Sequence, residues 1–184
     1  MQLARSLICL AAALALFSPF YVYADDKRFY LGARYAEYKF ELDGSSVVEE
    51  PNGFGIVGGM HMTEQISMEF EYGRSNKADF NYRTGLIESG KLRTENLAVY
   101  GAYRTPGTVY AKLKAGISIN WVDASDIRCY GAFCVNTLSE DGGGLAYGIG
   151  LGTILLGDQL RAEVDYSVIE EDIEMLSLGV LISL

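Results

Sequence analysis

The stretch VYAKLKAGISINW, residues 109–121, separates into two sets of side chains when every second residue is counted. One set is apolar and runs from Val109 to Trp121, whereas the interleaved set is polar and includes Lys112, Lys114 and Asn120. Because successive side chains of a β-strand point to opposite faces, this stretch predicts a strand with one uncharged apolar face and one polar face.

Seven further segments show a similar alternation, which is cleanest in the middle of each segment. They cover residues 29–40, 53–62, 66–73, 92–104, 143–153, 159–168 and 174–184. Each segment is close to the roughly 9–11 residues that a tilted strand needs to cross a bilayer. An even number of strands, apolar outside and polar inside, predicts an eight-stranded antiparallel up-and-down transmembrane β-barrel.

The predicted connections alternate in length. Short ones cover residues 63–65, 105–108 and 155–158, whereas residues 42–52, 74–91 and 122–142 form long ones. In barrels of this kind the short turns face the periplasm and the long loops face outside, which places both termini in the periplasm. The connection at residues 170–172 should be long by this rule, yet it is short.

A soluble barrel of the lipocalin kind is the alternative, with its apolar face inside. Small residues favour the membrane barrel, because eight strands leave room only for packed side chains. One face of the segment 143–153 carries only small residues, namely Gly144, Ala146, Gly148, Gly150 and Gly152. That face is predicted to be internal.

The predicted interior carries charges that nearly balance. The basic residues are Arg34, Arg104, Lys112, Lys114 and Arg161, and the acidic residues are Glu69, Glu71, Glu163 and Asp165. Buried charges must be paired, so these residues are predicted to form a charge network in the lumen, for example by pairing Arg161 with Glu71.

The first 24 residues predict a cleaved secretory signal. Arg5 is followed by an apolar stretch from Leu7 to Phe17, and Val22 to Ala24 offers a signal peptidase site. The predicted mature barrel therefore covers residues 25–184. Cleavage would remove Cys9 and leave only Cys129 and Cys134, and an even pair in an exported chain predicts a disulfide between them.

Several segments resemble small bacterial outer-membrane barrels of the opacity-protein and OmpA-like type. They are residues 29–33, 53–59 and 67–72, together with a terminal strand at 176–184. The family usually ends in Phe, whereas this chain ends in Leu184. The resemblance implies an outer-membrane location and a structural, adhesive or surface-interaction role, with no cofactor.

Candidate catalytic and metal-binding groups have plainer interpretations. His61, the only histidine, falls on the internal face near a short turn, out of reach of outer-leaflet lipid, so it is not expected to be catalytic. Glu69 and Glu71 are expected to be ion-pair partners. A group of acidic residues forms a predicted external rim. Their spacing matches no calcium-binding loop, so they are expected to be solvated. The rim comprises Asp123, Asp126, Glu140, Asp141, Glu170, Glu171 and Asp172.

Three functions remain open. The leading hypothesis is a non-enzymatic, monomeric outer-membrane barrel whose long loops contact a surface, a host ligand or lipopolysaccharide, and that serves surface interaction or envelope integrity. A small channel or porin-like transporter and, third, a lipid-modifying enzyme are the alternatives. An acidic chain of net charge −9 without a basic cluster argues against nucleic-acid binding.

Overall fold

The computed structural model describes residues 29–40, 45–47, 50–82, 87–129, 137–156, 159–170 and 172–184. These residues form ten strands. They are β1 (Phe29–Phe40), β2 (Ser45–Val47), β3 (Asn52–His61), β4 (Ile66–Ser75), β5 (Ala78–Tyr82), β6 (Ile87–Arg104), β7 (Val109–Cys129), β8 (Thr137–Leu156), β9 (Leu160–Glu170) and β10 (Ile173–Ser183). Within these ranges, no helix is long and apolar enough to span a bilayer. The predicted signal peptide lies outside the described residues.

Eight of the strands close into an antiparallel barrel. The order around the barrel is β1, β3, β4, β6, β7, β8, β9 and β10, and β10 pairs with β1 to complete the circle. The register places Tyr35 opposite Leu178 at this closure and Leu113 opposite Ile149 between β7 and β8. The predicted eight-stranded antiparallel barrel is therefore confirmed.

The two predicted faces of the strands are also confirmed. Apolar side chains cover the outside of the barrel, where Leu113 is 56% exposed and Ile149 is 60% exposed. The residue between two such positions turns inward, and Lys112 is only 1% exposed. An outer surface of this composition fits lipid and excludes the lipocalin-like arrangement, in which the apolar face is internal.

Two of the predicted long loops are largely β-structure, and their assignment as loops is wrong. β7 and β8 remain paired as far as Ser125 and Thr137, and β5 pairs with β6 between Ala78–Leu92 and Asn81–Ser89. β7 continues eight residues beyond Trp121, which at the rise of a strand is roughly 25 Å. The strands thus continue well past the apolar band.

We call this continuation the external sheet. It comprises β2, β5, residues 87–94 of β6, residues 122–129 of β7 and residues 137–140 of β8. Of the side chains that the structure describes in it, four apolar ones are buried, namely Ala78, Phe80, Leu92 and Ile127. A β-bulge in β7 places Asp126 in the left-handed region, with a φ of 55°. The sheet therefore has a packed face of its own outside the apolar band.

The short connection between β9 and β10 is explained by the lumen. Ile169 and Ile173, on either side of this connection, are buried and pack with Met175 inside the barrel. Because both arms of the hairpin turn apolar side chains inward at its tip, the hairpin ends at the level of the lumen. It contributes no strand to the external sheet.

Candidate functional site: the barrel lumen

Among the described residues, eight charged side chains are buried in the barrel lumen, and none is more than 5% exposed. Four are basic and four are acidic, so the set carries no net charge at neutral pH. They are Arg34, Arg104, Lys112, Lys114, Glu69, Glu71, Glu163 and Asp165. All eight were singled out from the alternation of the sequence.

One half of this charge network is built around Glu71. The Arg34 guanidinium donates to Glu71 at 2.6 Å, and its second nitrogen lies 2.9 Å from Asp165 Oδ2. The Lys114 ammonium bridges both Glu71 oxygens, at 2.8 and 2.9 Å. Lys114 also lies 4.4 Å from the centre of the Tyr100 ring, a cation–π contact that holds the ammonium from a second side.

The other half is built around Lys112. Its ammonium lies 2.9 Å from Glu69 Oε2, 2.8 Å from Glu163 Oε2 and 3.3 Å from Asp165 Oδ2. Arg104 completes this half by donating to Glu163 at 3.0 Å and to Glu69. Three carboxylates around one fully buried ammonium make Lys112 the centre of the network.

Tyrosine hydroxyls supply hydrogen bonds that the cations leave open. Tyr30 donates to Glu69 at 2.7 Å, and Tyr110 donates to Glu163 at 2.8 Å. Removing a charge from water costs several kcal/mol unless ion pairs and further hydrogen bonds replace its hydration. The tyrosines therefore help to make a dense set of buried charges tolerable.

The glycines of β8 create the space that the network occupies. A Cβ atom at Gly150 would collide with the Asp165 carboxylate, and one at Gly152 would collide with the Tyr110 ring. A Cβ at Gly148 would lie 3.0 Å from Lys114 Cε. Side chains from β7 and β9 thus extend across β8, which explains the small residues on its inner face.

An apolar cap closes the lumen towards the external sheet. Ala36, Tyr38, Ile169, Ile173 and Met175 form one buried cluster, and Phe40 and Val122 pack against it. Val122 lies on β7, which is separated from β10 by two strands, so the cap reaches across the barrel. The alternation of the sequence did not predict this cap.

Arg161 has a different partner from the one predicted. Its Nη1 lies 3.1 Å from His61 Nε2, whereas Glu71 is engaged by Arg34 and Lys114. The predicted Arg161–Glu71 pair is therefore wrong. The two residues lie at different heights in the barrel, because Arg161 is the second residue of β9, near a short turn, whereas Glu71 lies in the middle of β4. Arg161 and His61 are both partly exposed.

The remaining candidates form no further site. Among the described residues, no three His, Cys, Asp or Glu side chains are close enough to hold a metal ion. Of the acidic rim, Glu170 accepts a hydrogen bond from Asn120 at 2.9 Å. Ser67 accepts a hydrogen bond from Arg104 at 2.7 Å and is not hydrogen-bonded to His61. The predicted disulfide involves Cys134, which lies outside the described residues.

Comparison with known proteins agrees with this architecture. A family profile described as outer membrane protein beta-barrel domain matches residues 8–180. No curated protein sequence matches the chain. Among solved structures, the attachment invasion locus protein Ail of Yersinia pestis is similar, with a TM-score of 0.57 and 15% identity over 86% of this chain and 98% of that chain. Neisserial surface protein A gives a TM-score of 0.54 and 17% identity over 85% and 97%. Identities this low show a shared fold alone.

Proposed function

Because the chain belongs to the outer membrane protein β-barrel domain family and lies in the bacterial outer membrane, we propose that it is a non-enzymatic, non-conducting barrel. Its external sheet contacts partners outside the cell. The packed lumen supports the absence of conduction, and the packed external sheet supports the role in contact with partners. The two parts are tested separately.

The packing of the lumen is the observation that carries the proposal. An ion would have to displace the paired charges around Lys112 and then cross the apolar cap that includes Ile169 and Met175. Eight-stranded barrels have an interior just wide enough for side chains to fill. A network in which every buried charge already has an ion-pair partner offers little reason for a solvated ion to enter.

The external sheet supports a role in surface contact. Loops and extensions on a rigid scaffold commonly carry recognition, and buried Phe80, Leu92 and Ile127 keep this extension ordered. The neighbour Ail is named for attachment and invasion, and one of its structures contains the heparin analogue sucrose octasulfate. For the present chain, the supported partner class is a ligand on another surface or the surrounding lipopolysaccharide.

The outer surface of the barrel also supports a structural role in the envelope. Aromatic side chains face lipid where the apolar rows of their strands end, among them Tyr35, Phe54 and Tyr72. Such side chains prefer the boundary between acyl chains and headgroups. We infer that outer-membrane lipid and lipopolysaccharide surround a single barrel, which is complete without a second copy.

The position of His61 argues against the lipid-modifying alternative. Its Nε2 accepts from Arg161, and it lies beside the short turn that follows β3, at the end of the barrel far from the external sheet. A general base must lie within reach of the proton that it takes. Outer-leaflet lipid is at the opposite end.

Single-channel recording tests the non-conducting part. The purified barrel in planar bilayers is expected to show no conductance steps. The variants Lys114→Ala and Arg34→Ala are recorded beside it, to test whether any current depends on the lumen charges. Steps in the unmodified protein that disappear in Lys114→Ala or Arg34→Ala would show that the polar interior is a path and would replace the proposal with the channel alternative.

A deletion of residues 126–138 tests the contact role. Asp123 is opposite Ser139, so the deletion leaves residues 124 and 125 as a two-residue connection between correctly paired strands. We expect normal barrel folding with loss of binding to cell surfaces and to lipopolysaccharide-coated beads. A folded deletion variant that binds as the parent does would remove this part of the proposal.

A further inference from the structure

Arg161 is a lumen cation that the charge network does not use. The four buried carboxylates are engaged by Arg34, Arg104, Lys112 and Lys114. Within the described part of the chain, Arg161 forms no ion pair, and its recorded polar contact is the one to His61 at 3.1 Å. This end of the lumen therefore carries one positive charge that no described carboxylate offsets.

The contact with His61 fixes the protonation of the imidazole. A guanidinium can only donate hydrogen bonds, so Nε2 of His61 must accept and the ring proton must be on Nδ1. His61 is thus neutral in this arrangement and adds a donor without adding a second charge. Its ring lies 4.9 Å from the ring of Tyr30, which limits how far it can turn.

Within the described ranges, two further donors at this end are buried without a hydrogen-bond partner. They are Nε of Arg161 and the hydroxyl of Ser183. Leu181 is opposite Arg161 in the register between β9 and β10, and Ser183 follows two residues later on the same inner face. Side chains at such diagonal positions of neighbouring strands are close enough to act on one small ligand.

The position of these groups determines from which side a ligand could come. Arg161 and His61 are partly exposed and lie next to the short turns, which in outer-membrane barrels face the periplasm. Both side chains project into the lumen and not towards lipid, so the headgroups of the membrane are on the wrong side of the barrel wall. A ligand must enter through the periplasmic mouth.

We propose that the periplasmic mouth of this barrel binds a single carboxylate group of a periplasmic molecule, through Arg161 with help from His61 and Ser183. The Nε and Nη2 edge of a guanidinium presents two parallel donors that match the two oxygens of a carboxylate. The positive charge of Arg161, which forms no ion pair with a carboxylate of the described residues, matches one monoanion. This site is independent of the external sheet and of its proposed partners.

The single histidine of the chain provides a direct reporter. We would follow the side-chain NMR signals of His61 in the untagged protein in nanodiscs while adding N-acetyl-alanyl-alanine, which ends in a carboxylate. The amide of the same dipeptide and sodium chloride at equal ionic strength are the controls. A saturable shift with the acid and none with either control is expected. Equal shifts with the amide or with chloride would overturn the proposal.

Variants assign the effect to Arg161. Arg161→Gln is expected to weaken binding by about tenfold or more, as for loss of a charged donor pair, and Ser183→Ala to weaken it by about threefold. Arg74→Gln, at the other end of the barrel, is the matched control and should bind as the parent does. If Arg161→Gln binds the dipeptide with the affinity of the parent, the assignment of the site to Arg161 is wrong.

A second variant and a second anion complete the test. If Arg161→Gln does not show the altered gel migration of a folded barrel, Arg161→Lys takes its place, since it keeps the charge and loses the parallel donors. It is expected to bind several times more weakly than the parent, and parental affinity would count against the proposal. Inorganic phosphate that binds more tightly than the dipeptide would overturn the assignment to a carboxylate.

Discussion

Strand β7 passes through two regions of opposite polarity. In the barrel, Ile119 faces outward and is 47% exposed, whereas Asn120 faces the lumen and is 1% exposed. The next inward position, Val122, is apolar, and the outward position changes from Trp121 to the charged Asp123. The alternation keeps its period of two but changes sign, because the outer medium changes from lipid to water.

Strand β6 reverses its polarity at a similar level. Leu97 and Val99 face lipid, while Asn96 is buried in the lumen. Beyond Glu95 the inward side chain Leu92 is apolar and buried, and outward Lys91 is charged and exposed. A reversal of this kind in two neighbouring strands locates the edge of the apolar band, and it distinguishes a strand that leaves the membrane from a strand that ends.

The largest expected effect concerns the lumen. Lys112→Met removes the cation shared by Glu69, Glu163 and Asp165 and leaves an uncompensated buried negative charge. Breaking a buried ion pair from one side typically costs about 3–5 kcal/mol. We expect a loss of that order in the free energy of unfolding, measured with urea in phosphatidylcholine vesicles.

A double variant controls for the loss of the lysine side chain itself. Lys112→Met combined with Glu69→Gln restores the charge balance, so it is expected to be more stable than Lys112→Met alone. If the free energy of unfolding of Lys112→Met is within about 1 kcal/mol of the parent value, the lumen charges are hydrated. The lumen would then not differ from the external sheet in its exclusion of water.

The next effect tests the outward face at two heights on one strand. Leu113→Arg places a charge against lipid near the middle of the membrane, which costs roughly 2–4 kcal/mol. Asp123→Arg changes the same face of β7 beyond the apolar band and is expected to be nearly neutral. Unfolding in vesicles measures both. Equal costs would mean that the membrane extends to Asp123 and that the reversal of polarity has another cause.

Much of the barrel was predictable from residue order, and particular residues show why. Alternation separated Leu113 from Lys112 and identified all eight buried lumen charges, because lipid and lumen impose opposite demands on adjacent residues. The external sheet was not predicted, because the reversed pattern around Asp123 and Leu92 was taken as the end of each strand. Its residues follow the same period in a different solvent.

The lumen partners were less predictable than the lumen residues. Which cation meets Glu71 depends on the stagger of strands around the barrel, and a single strand carries no information about that stagger. Arg161 was therefore assigned to Glu71, although it meets His61. The apolar cap was missed for a related reason, since Ile169 and Met175 look like exceptions to alternation until β1, β7, β9 and β10 are brought together.

A smaller effect is expected in the packing of the external sheet. Phe80 is 4% exposed, and its ring lies over Gly90, where a Cβ would be 2.7 Å from the ring. Phe80→Ala should loosen β5 against β6 while the barrel stays folded. Hydrogen exchange is expected to accelerate at the amides of residues 89–92 and to stay slow at residues 97–103. Acceleration in both ranges would show that the two regions unfold as one unit.

The smallest effect concerns the bulge at Asp126. Its φ of 55° lies in the left-handed region, where most residues with a Cβ are strained and glycine is not. Its ion pair with Lys77 is 4.0 Å long and exposed, so the carboxylate adds little. Asp126→Gly is therefore expected to stabilise the external sheet by at most about 1 kcal/mol, seen as slower exchange near Lys91.

Asp126→Asn should be close to neutral, because asparagine tolerates this conformation. Asp126→Val should accelerate exchange there, since a β-branched residue is poorly accommodated at positive φ. If exchange is faster in Asp126→Gly than in the parent, the carboxylate of Asp126 and not its backbone conformation stabilises the bulge. The external sheet would then depend on charge more than its comparison with the lumen implies.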